Sequence, residues 1–245
     1  MDNRFLLFYI IFFVCALVFS LVVNAILLKF SRNLGVRNAT EPIIRWSSTS
    51  KPALGGISFF IVFLLAVIAT NFSLGENQFF FNIKFIGIVI SVTLGFLLGL
   101  FDDAYNTKPL LKFLTQVLCG AILIVSGTSI QFFGHWLPDY LLTIFWVVGI
   151  MNSVNMLDNM DGITSVVSLS IFLGVLAQFI FGVSDPLLMT VIIIGGIASI
   201  LGFLVYNWNP SRMYMGDTGS QFLGVLLAVL GIIFLKFSDI KYSKY

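Results

Sequence analysis

Charge is what this sequence has least of. Lys, Arg, Asp and Glu make up 10% of the 245 residues, against about a quarter in an ordinary soluble domain. A mean hydropathy of +1.05 points the same way. Together they exclude a domain built to face water, and a net charge of +2 is too small to argue for nucleic acid. Cysteine is nearly absent. Cys15 and Cys119 lie inside apolar runs without CxxC spacing, so they read as small packing residues. The one histidine, His135 in "FFGHWLP", reads as an ordinary surface residue. No internal repeat is evident and no acid falls near the middle of an apolar run. A transporter or channel would be expected to show such features.

What is abundant is apolar runs. They cover about Phe5–Phe30, Leu54–Thr70, Ile83–Phe101, Leu110–Gly127, Pro138–Leu157, Gly162–Val183, Pro186–Tyr206 and Gly219–Phe237. Each approaches the roughly 20 residues a membrane-crossing helix needs. The runs are continuous, without the alternation of barrel strands. The first is too long for an ordinary signal-peptide core. The expected fold is therefore all-α: a polytopic membrane bundle of about eight helices with short loops, forming one domain over 1–245. If the Ser31–Ala53 loop is cytoplasmic, eight of the thirteen basic residues fall inside, as the positive-inside rule favours.

Five of the eleven acids fall at three places: Asp102 and Asp103 in "GLFDDAYNTKPLLKF", Asp158 and Asp161 in "NMLDNMDG", and Asp217 in "YMGDTGS". Helix alternation brings all three to the face that the basic residues mark as cytoplasmic. One composite site follows. Asp102, Asp103 and Asp158 sit where helices end, and a carboxylate there meets the negative end of the helix dipole. A cation relieves that, from Lys108, Lys112 or a divalent metal; hard oxygen ligands with open water positions suit Mg²⁺. In "NSVNMLDNMDGIT" the polar residues Asn152, Asn155, Asp158 and Asp161 stand three apart. A straight helix would end about half a revolution out of phase over that span. The spacing therefore predicts a helix ending near Asp158 and a turn in which Asp161 caps the next helix. Asn155 and Asp158 then share one cavity, and Asn152 packs between helices.

"LGLFDDAYNTKPLLKFLTQ", "NSVNMLDNMDG" and "YNWNPSRMYMGDTGS" resemble, in order and spacing, the three cytoplasmic motifs of the polyprenyl-phosphate N-acetylhexosamine-1-phosphate transferases. "KPALGG" is similar to the Pro-x-x-Gly-Gly segment those enzymes carry before an early helix. The resemblance spans Lys51 to about Gly224, and "GDTGS" looks closer to the initiating sugar-phosphate transferases than to the phospho-muramoyl-pentapeptide branch.

The resemblance implies transfer of a sugar-1-phosphate from a UDP-sugar to a polyprenyl phosphate, with release of UMP. It implies Mg²⁺, or alternatively Mn²⁺, with Asp217 as metal ligand. Asp102 and Asp103 match the paired catalytic acids, with Asp102 orienting or deprotonating the acceptor phosphate. A covalent aspartyl-phosphate intermediate is the other mechanism it allows. Lys51 and Lys112 match phosphate-holding lysines, and Asn155, Asp158, Asp161 and Asn207 fall on substrate-lining positions. The implied partners are the lipid carrier, the UDP-sugar and membrane lipids, with a homodimer compatible with the family and no nucleic acid. The place is a cell membrane, with the site on the cytoplasmic face.

Trp46, Tyr206, Trp208 and Tyr214 read as interfacial belt residues, and Gly95 and Gly99 as a close-packing GxxxG pair. Two features depart from the family pattern. Asn159 stands where it has glycine, a position whose left-handed geometry Asn tolerates. The sequence also runs only about 25 residues past Ser220, without the His- and Arg-rich loop of family members. That leaves a reduced donor site, one borrowed from a partner, or an inactive scaffolding relative as alternatives.

Overall fold

The computed structural model describes residues 3–31, 51–73, 82–181 and 187–242. Arg32, Arg37, Arg45 and Trp46, which bear on the expected basic loop and aromatic belt, lie outside the described residues. Eight helices follow one another: α1 (Asn3–Ser31), α2 (Gly55–Ser73), α3 (Ile83–Tyr105), α4 (Pro109–Val125), α5 (Trp136–Leu157), α6 (Ile163–Phe181), α7 (Leu187–Asn207) and α8 (Gly216–Tyr242). No strand forms among the described residues. Hydrocarbon offers backbone N–H and C=O groups no partners, so each apolar run closes its own hydrogen bonds as a helix. The chain is a polytopic helical membrane protein.

Six of the eight helices, α1, α3, α5, α6, α7 and α8, are long and apolar enough to cross a membrane. Of the other two, α2 has 19 residues, as many as α6, and α4 has 17. The 17 residues of α4 stand at the short end of the range that crosses a membrane. The expectation of about eight helices is met.

The centre of the bundle is α8, which packs on α3, α5 and α2, while α7 packs on α1, α2 and α6. Phe222 through Leu230 of α8 are all buried. Close approach of α3 and α8 depends on the GxxxG pair. A Cβ on Gly99 would stand 2.1 Å from the Asp217 carbonyl oxygen, and one on Gly95 would stand 2.6 Å from Val225. α1 lies at the edge of the bundle, against α7 and α2. α1 shows solvent or lipid a row of exposed residues including Leu7, Ile11, Val14 and Val18, with Cys15 among them. Cys119 is buried between α3 and α4, where Ser91 donates to its carbonyl at 3.2 Å.

Two helix ends differ from the sequence reading, and both differences shape the site. The third helix runs past Phe101 to Tyr105, because Asn106 takes a left-handed conformation (φ 52°) and its N–H reaches back to the Asp102 carbonyl. Asp102 and Asp103 therefore lie in the last helical turn. The last helix begins at Gly216 rather than Gly219, with Asp217 in its first turn.

At the opposite end, the α4–α5 connection is held by Asp139. Its Oδ1 accepts the N–H groups of Phe132 and Phe133 at 3.0 and 2.8 Å. Thr143 accepts the Ile130 N–H at 3.0 Å. Phe132, Phe133, Trp136 and Leu137 are exposed there, and His135 is exposed beside them.

Candidate functional site

The three acidic motifs meet at one end of the bundle, as helix alternation predicts. A short extended pairing assembles the floor. The Tyr214 N–H donates to the Pro52 carbonyl, and the N–H groups of Gly55 and Gly56 donate to the carbonyls of Tyr214 and Met215, all at 3.0 Å. "KPALGG" and "RMYMGD" are thereby laid side by side, ahead of α2 and α8.

Lys112, from the first turn of α4, stands between two carboxylates. Its Nζ pairs with Asp102 Oδ2 and lies 3.7 Å from Asp217 Oδ2. Asp102 is buried, and its other oxygen accepts the Thr107 N–H at 2.8 Å and the Thr107 hydroxyl at 2.7 Å. A carboxylate at a helix C-terminus is disfavoured by the dipole; Lys112 and Thr107 offset that here.

Asp103, the next residue, turns elsewhere. Its Oδ1 accepts the Asp217 N–H, and its Oδ2 accepts the Thr218 N–H, each at 2.9 Å; the Thr218 hydroxyl adds a bond at 2.6 Å. The end of α3 thus caps the start of α8, satisfying N–H groups that have no partner within the helix. Gly216 permits this. Its φ is +72°, and a Cβ there would stand 2.6 Å from Asp103 Oδ2.

From the end of α5, Asn155 donates to Asp217 Oδ1 at 2.6 Å and to Ser220 Oγ at 2.8 Å. Asp158, just past that helix, is half-buried and faces the same acids. Burial, with the like charges of Asp217 and Asp103 adding to it, pushes its carboxyl up to about 7.

Lys51 and Asp161 form a second group. Lys51 Nζ donates to Ser211 Oγ at 3.2 Å, lies 4.0 Å from Asp161 Oδ2, and stands 5.2 Å from the centre of the Tyr214 ring. Asp161 Oδ2 accepts the Ser211 N–H at 3.0 Å and the Asn209 amide at 3.3 Å. Desolvation works against its ionisation, but the bonds from Ser211, the Lys51 charge and Asn209 outweigh it and hold the carboxyl below its ordinary value.

The expectation that Asp161 caps the following helix is not met. The Gly162 N–H goes instead to Asn207 Oδ1 at 3.1 Å. Asn207 is buried, and it also accepts from Ser165 and donates to the Met213 carbonyl. Its amide locks α6 to the 208–215 connection. A cleft of about 360 Å³ opens beside Asp161, walled by Ile163, Val166, Val167 and Trp208. Trp208 and Tyr214 are thus part of the site's surroundings. Tyr206 ties α7 to α1 by donating to the Leu21 carbonyl at 3.1 Å.

Among the described residues, no three His, Cys, Asp or Glu side chains converge as a ready-made metal cage. A Mg²⁺ site completed by substrate does not need one, since that ion typically keeps several waters and takes one or two carboxylates plus phosphates. Asp217 suits such a site. Its side chain is 34% exposed, and Lys112 stands off its Oδ2 at 3.7 Å.

The sequence reading missed Thr107, Thr218 and Ser211, whose hydroxyls or N–H groups hold the acids, and Ser220, which accepts from Asn155. Their position next to the acidic motifs was the available signal. It also missed Gln116 and Gln221, amides inside apolar runs. Asn152, expected to pack between helices, exchanges hydrogen bonds with Gln116.

The chain is 30% identical over 192 residues to a probable undecaprenyl-phosphate N-acetylglucosaminyl 1-phosphate transferase of Bacillus subtilis, covering 74% of this chain and 51% of that protein. It is 35% identical over 202 residues to a phospho-N-acetylmuramoyl-pentapeptide-transferase of Streptococcus pneumoniae. The Streptococcus agalactiae enzyme of that name is 36% identical over 207 residues; each covers 74% of this chain and 59% of the relative. Both branches weighed from the motifs are therefore represented among the relatives. The chain spans between half and three-fifths of the length of these curated relatives. The model of glycosyl transferase family 4 matches residues 85–235, a stretch that holds every acidic motif described above, and the chain belongs to that family.

Proposed function

We propose that this protein transfers a sugar-1-phosphate, an N-acetylhexosamine-1-phosphate in the first instance, from a UDP-sugar to a polyprenyl phosphate. The products are a polyprenyl-diphosphate-sugar and UMP, and the site faces the cytoplasm. The observation that carries this reading is Lys112 held between Asp102 and Asp217, at the meeting point of three helix ends. A phosphate oxygen attacking a diphosphate needs its negative charge neutralised on both partners. Lys112 offers a cation that can pass from carboxylate to phosphate without leaving the site.

Asp217 is the residue that would hold Mg²⁺, with Mn²⁺ as the alternative. The metal's chemistry there is neutralisation and orientation of the diphosphate. Asp102 orients the acceptor through Lys112. Because the second pKa of a phosphate is near 6, a base adds little at neutral pH. Asp103 keeps the first turn of α8 intact, so that Asp217 stays aimed at the site. Asn155 fixes the other Asp217 oxygen, and the Lys51–Asp161 group with its neighbouring cleft receives the rest of the donor.

The test is UMP release by purified protein with Mg²⁺, a polyprenyl phosphate and a panel of UDP-sugars, with Asp217→Ala alongside. Release that requires metal and lipid and is lost in the variant supports the reading and identifies the sugar. No release with any donor from folded protein sinks it and leaves a non-catalytic relative.

A further inference from the structure

One helical turn below the reactive side chains lies a second polar tier on the same three helices. Gln116 is four residues beyond Lys112 on α4, Gln221 four beyond Asp217 on α8, and Asn152 three before Asn155 on α5. Residues so spaced share a helix face. The directions agree as well. α4 and α8 start at the site and α5 ends there, so all three amides are one turn deeper.

They are bonded to one another. Asn152 Nδ2 donates to Gln116 Oε1 at 2.9 Å. Gln116 Nε2 donates to Asn152 Oδ1 at 3.3 Å and to Gln221 Oε1 at 3.2 Å. Gln116 and Gln221 are buried, at 1% and 2% exposure. This tier repeats the upper one, where Lys112 meets Asp217 and Asn155 meets Asp217. α4 itself lies against α3 and α5, and it reaches α8 through the long side chains of Lys112 and Gln116.

We propose that Gln116 is a positioning residue. Bridging Asn152 and Gln221, it fixes the axial register of α4 against α8 and α5, and so sets Lys112 against Asp217. Buried amides have fixed donor and acceptor sides and a directional reach. A one-turn slip, or a rotation of α4, would break all three Gln116 bonds at once. The catalytic part of this proposal rests on the transferase reading; the geometric part does not.

The test is a variant that removes the whole tier, Gln116→Leu with Asn152→Leu and Gln221→Leu. It leaves no orphaned amide and fills the space, so folding is preserved. Two readouts are taken at a temperature below the unfolding range of both proteins. In the UMP-release assay, kcat is expected to fall about ten- to a hundredfold, the cost of misplacing a reacting group by about an ångström, while KM for the donor stays near wild type. Trace acetylation of Lys112, read by mass spectrometry against Lys108, is expected to rise several-fold as its carboxylate contacts loosen.

A purely structural tier would lower stability and leave both readouts unmoved, which overturns the proposal. Unchanged Lys112 labelling overturns it whatever the turnover, and so does raised labelling with unchanged kcat. If wild-type protein releases no UMP, the transferase reading fails by itself. The labelling still decides: a rise upholds Gln116 as the residue that positions Lys112, and no change overturns it.

Discussion

The two ends of the bundle use an aspartate in the same way and to different ends. Asp139 accepts two backbone N–H groups and holds the α4–α5 connection; Asp103 accepts two and caps α8. Around Asp139 exposed aromatics finish the surface, a composition suited to a membrane–water boundary. Around Asp103 stand four more carboxylates, Asp102, Asp158, Asp161 and Asp217, with Lys51 and Lys112 as their basic partners. All three ion pairs among the described residues are at this end. A local brace needs one carboxylate and its N–H donors. An excess of partly buried acids over bases carries a desolvation cost that structure alone does not require, and it sets this end apart as the proposed site.

Substitutions at the two ends should separate these roles. The largest effect is expected from Asp217→Asn, which keeps the shape but removes the charge proposed to hold metal. UMP release should fall about a thousandfold with α-helical content unchanged by circular dichroism. A rate near wild type would take Asp217 out of the site. Lys112→Met should cost about a hundredfold in kcat, because methionine fills the stem's space without the cation. A change confined to donor KM would instead assign Lys112 to ground-state binding.

The two braces come next. Asp103→Ala should lose about 1–2 kcal/mol by removing a cap and also lower activity, since Asp217 sits in the turn it releases. Asp139→Ala should lose about 1–3 kcal/mol by removing a charged acceptor of two backbone N–H groups, with kcat per folded molecule unchanged. Denaturation in detergent alongside the release assay checks both. Equal effects of the two variants on kcat would erase the distinction between the ends.

The smallest effect concerns pH. Asp158 is pushed up to about 7 from an ordinary 3.8, so the folded state binds its proton more tightly than the unfolded state does. Its contribution to stability is present below pH 4 and is lost as pH rises through about 7. Asp158→Asn should therefore flatten this decline. Relative to wild type, its melting temperature should be higher at pH 8 than at pH 5. A difference that is independent of pH would mean that Asp158 titrates normally.

Not all of the site was equally legible in the sequence. The meeting of three acidic motifs at one end follows from counting apolar runs, because each run long enough to cross reverses the chain's side. "DDA" reads as a pair, yet consecutive helical residues point about 100° apart, and Asp102 and Asp103 reach different helices. Asp161 and Asn207 exchange the roles that local pattern suggests. A cap is defined by which acceptor sits over the N–H, and the residue over Gly162 comes from 45 positions away. Gln116 and Gln221 carry no pattern at all, since a lone amide in an apolar run gives no period to detect.

The sequence by itself determined the class of protein, the number of helices and the end at which the acids gather. Hydropathy acts on contiguous segments, and alternation turns segment count into sidedness. Only the tertiary structure decided that Lys112 answers Asp102 and Asp217, that Asp103 caps a helix beginning 113 residues later at Gly216, and that an amide tier underlies them. Those pairings depend on the register and rotation of helices far apart in the chain. Close packing and directional hydrogen bonds fix these, and no local segment encodes them.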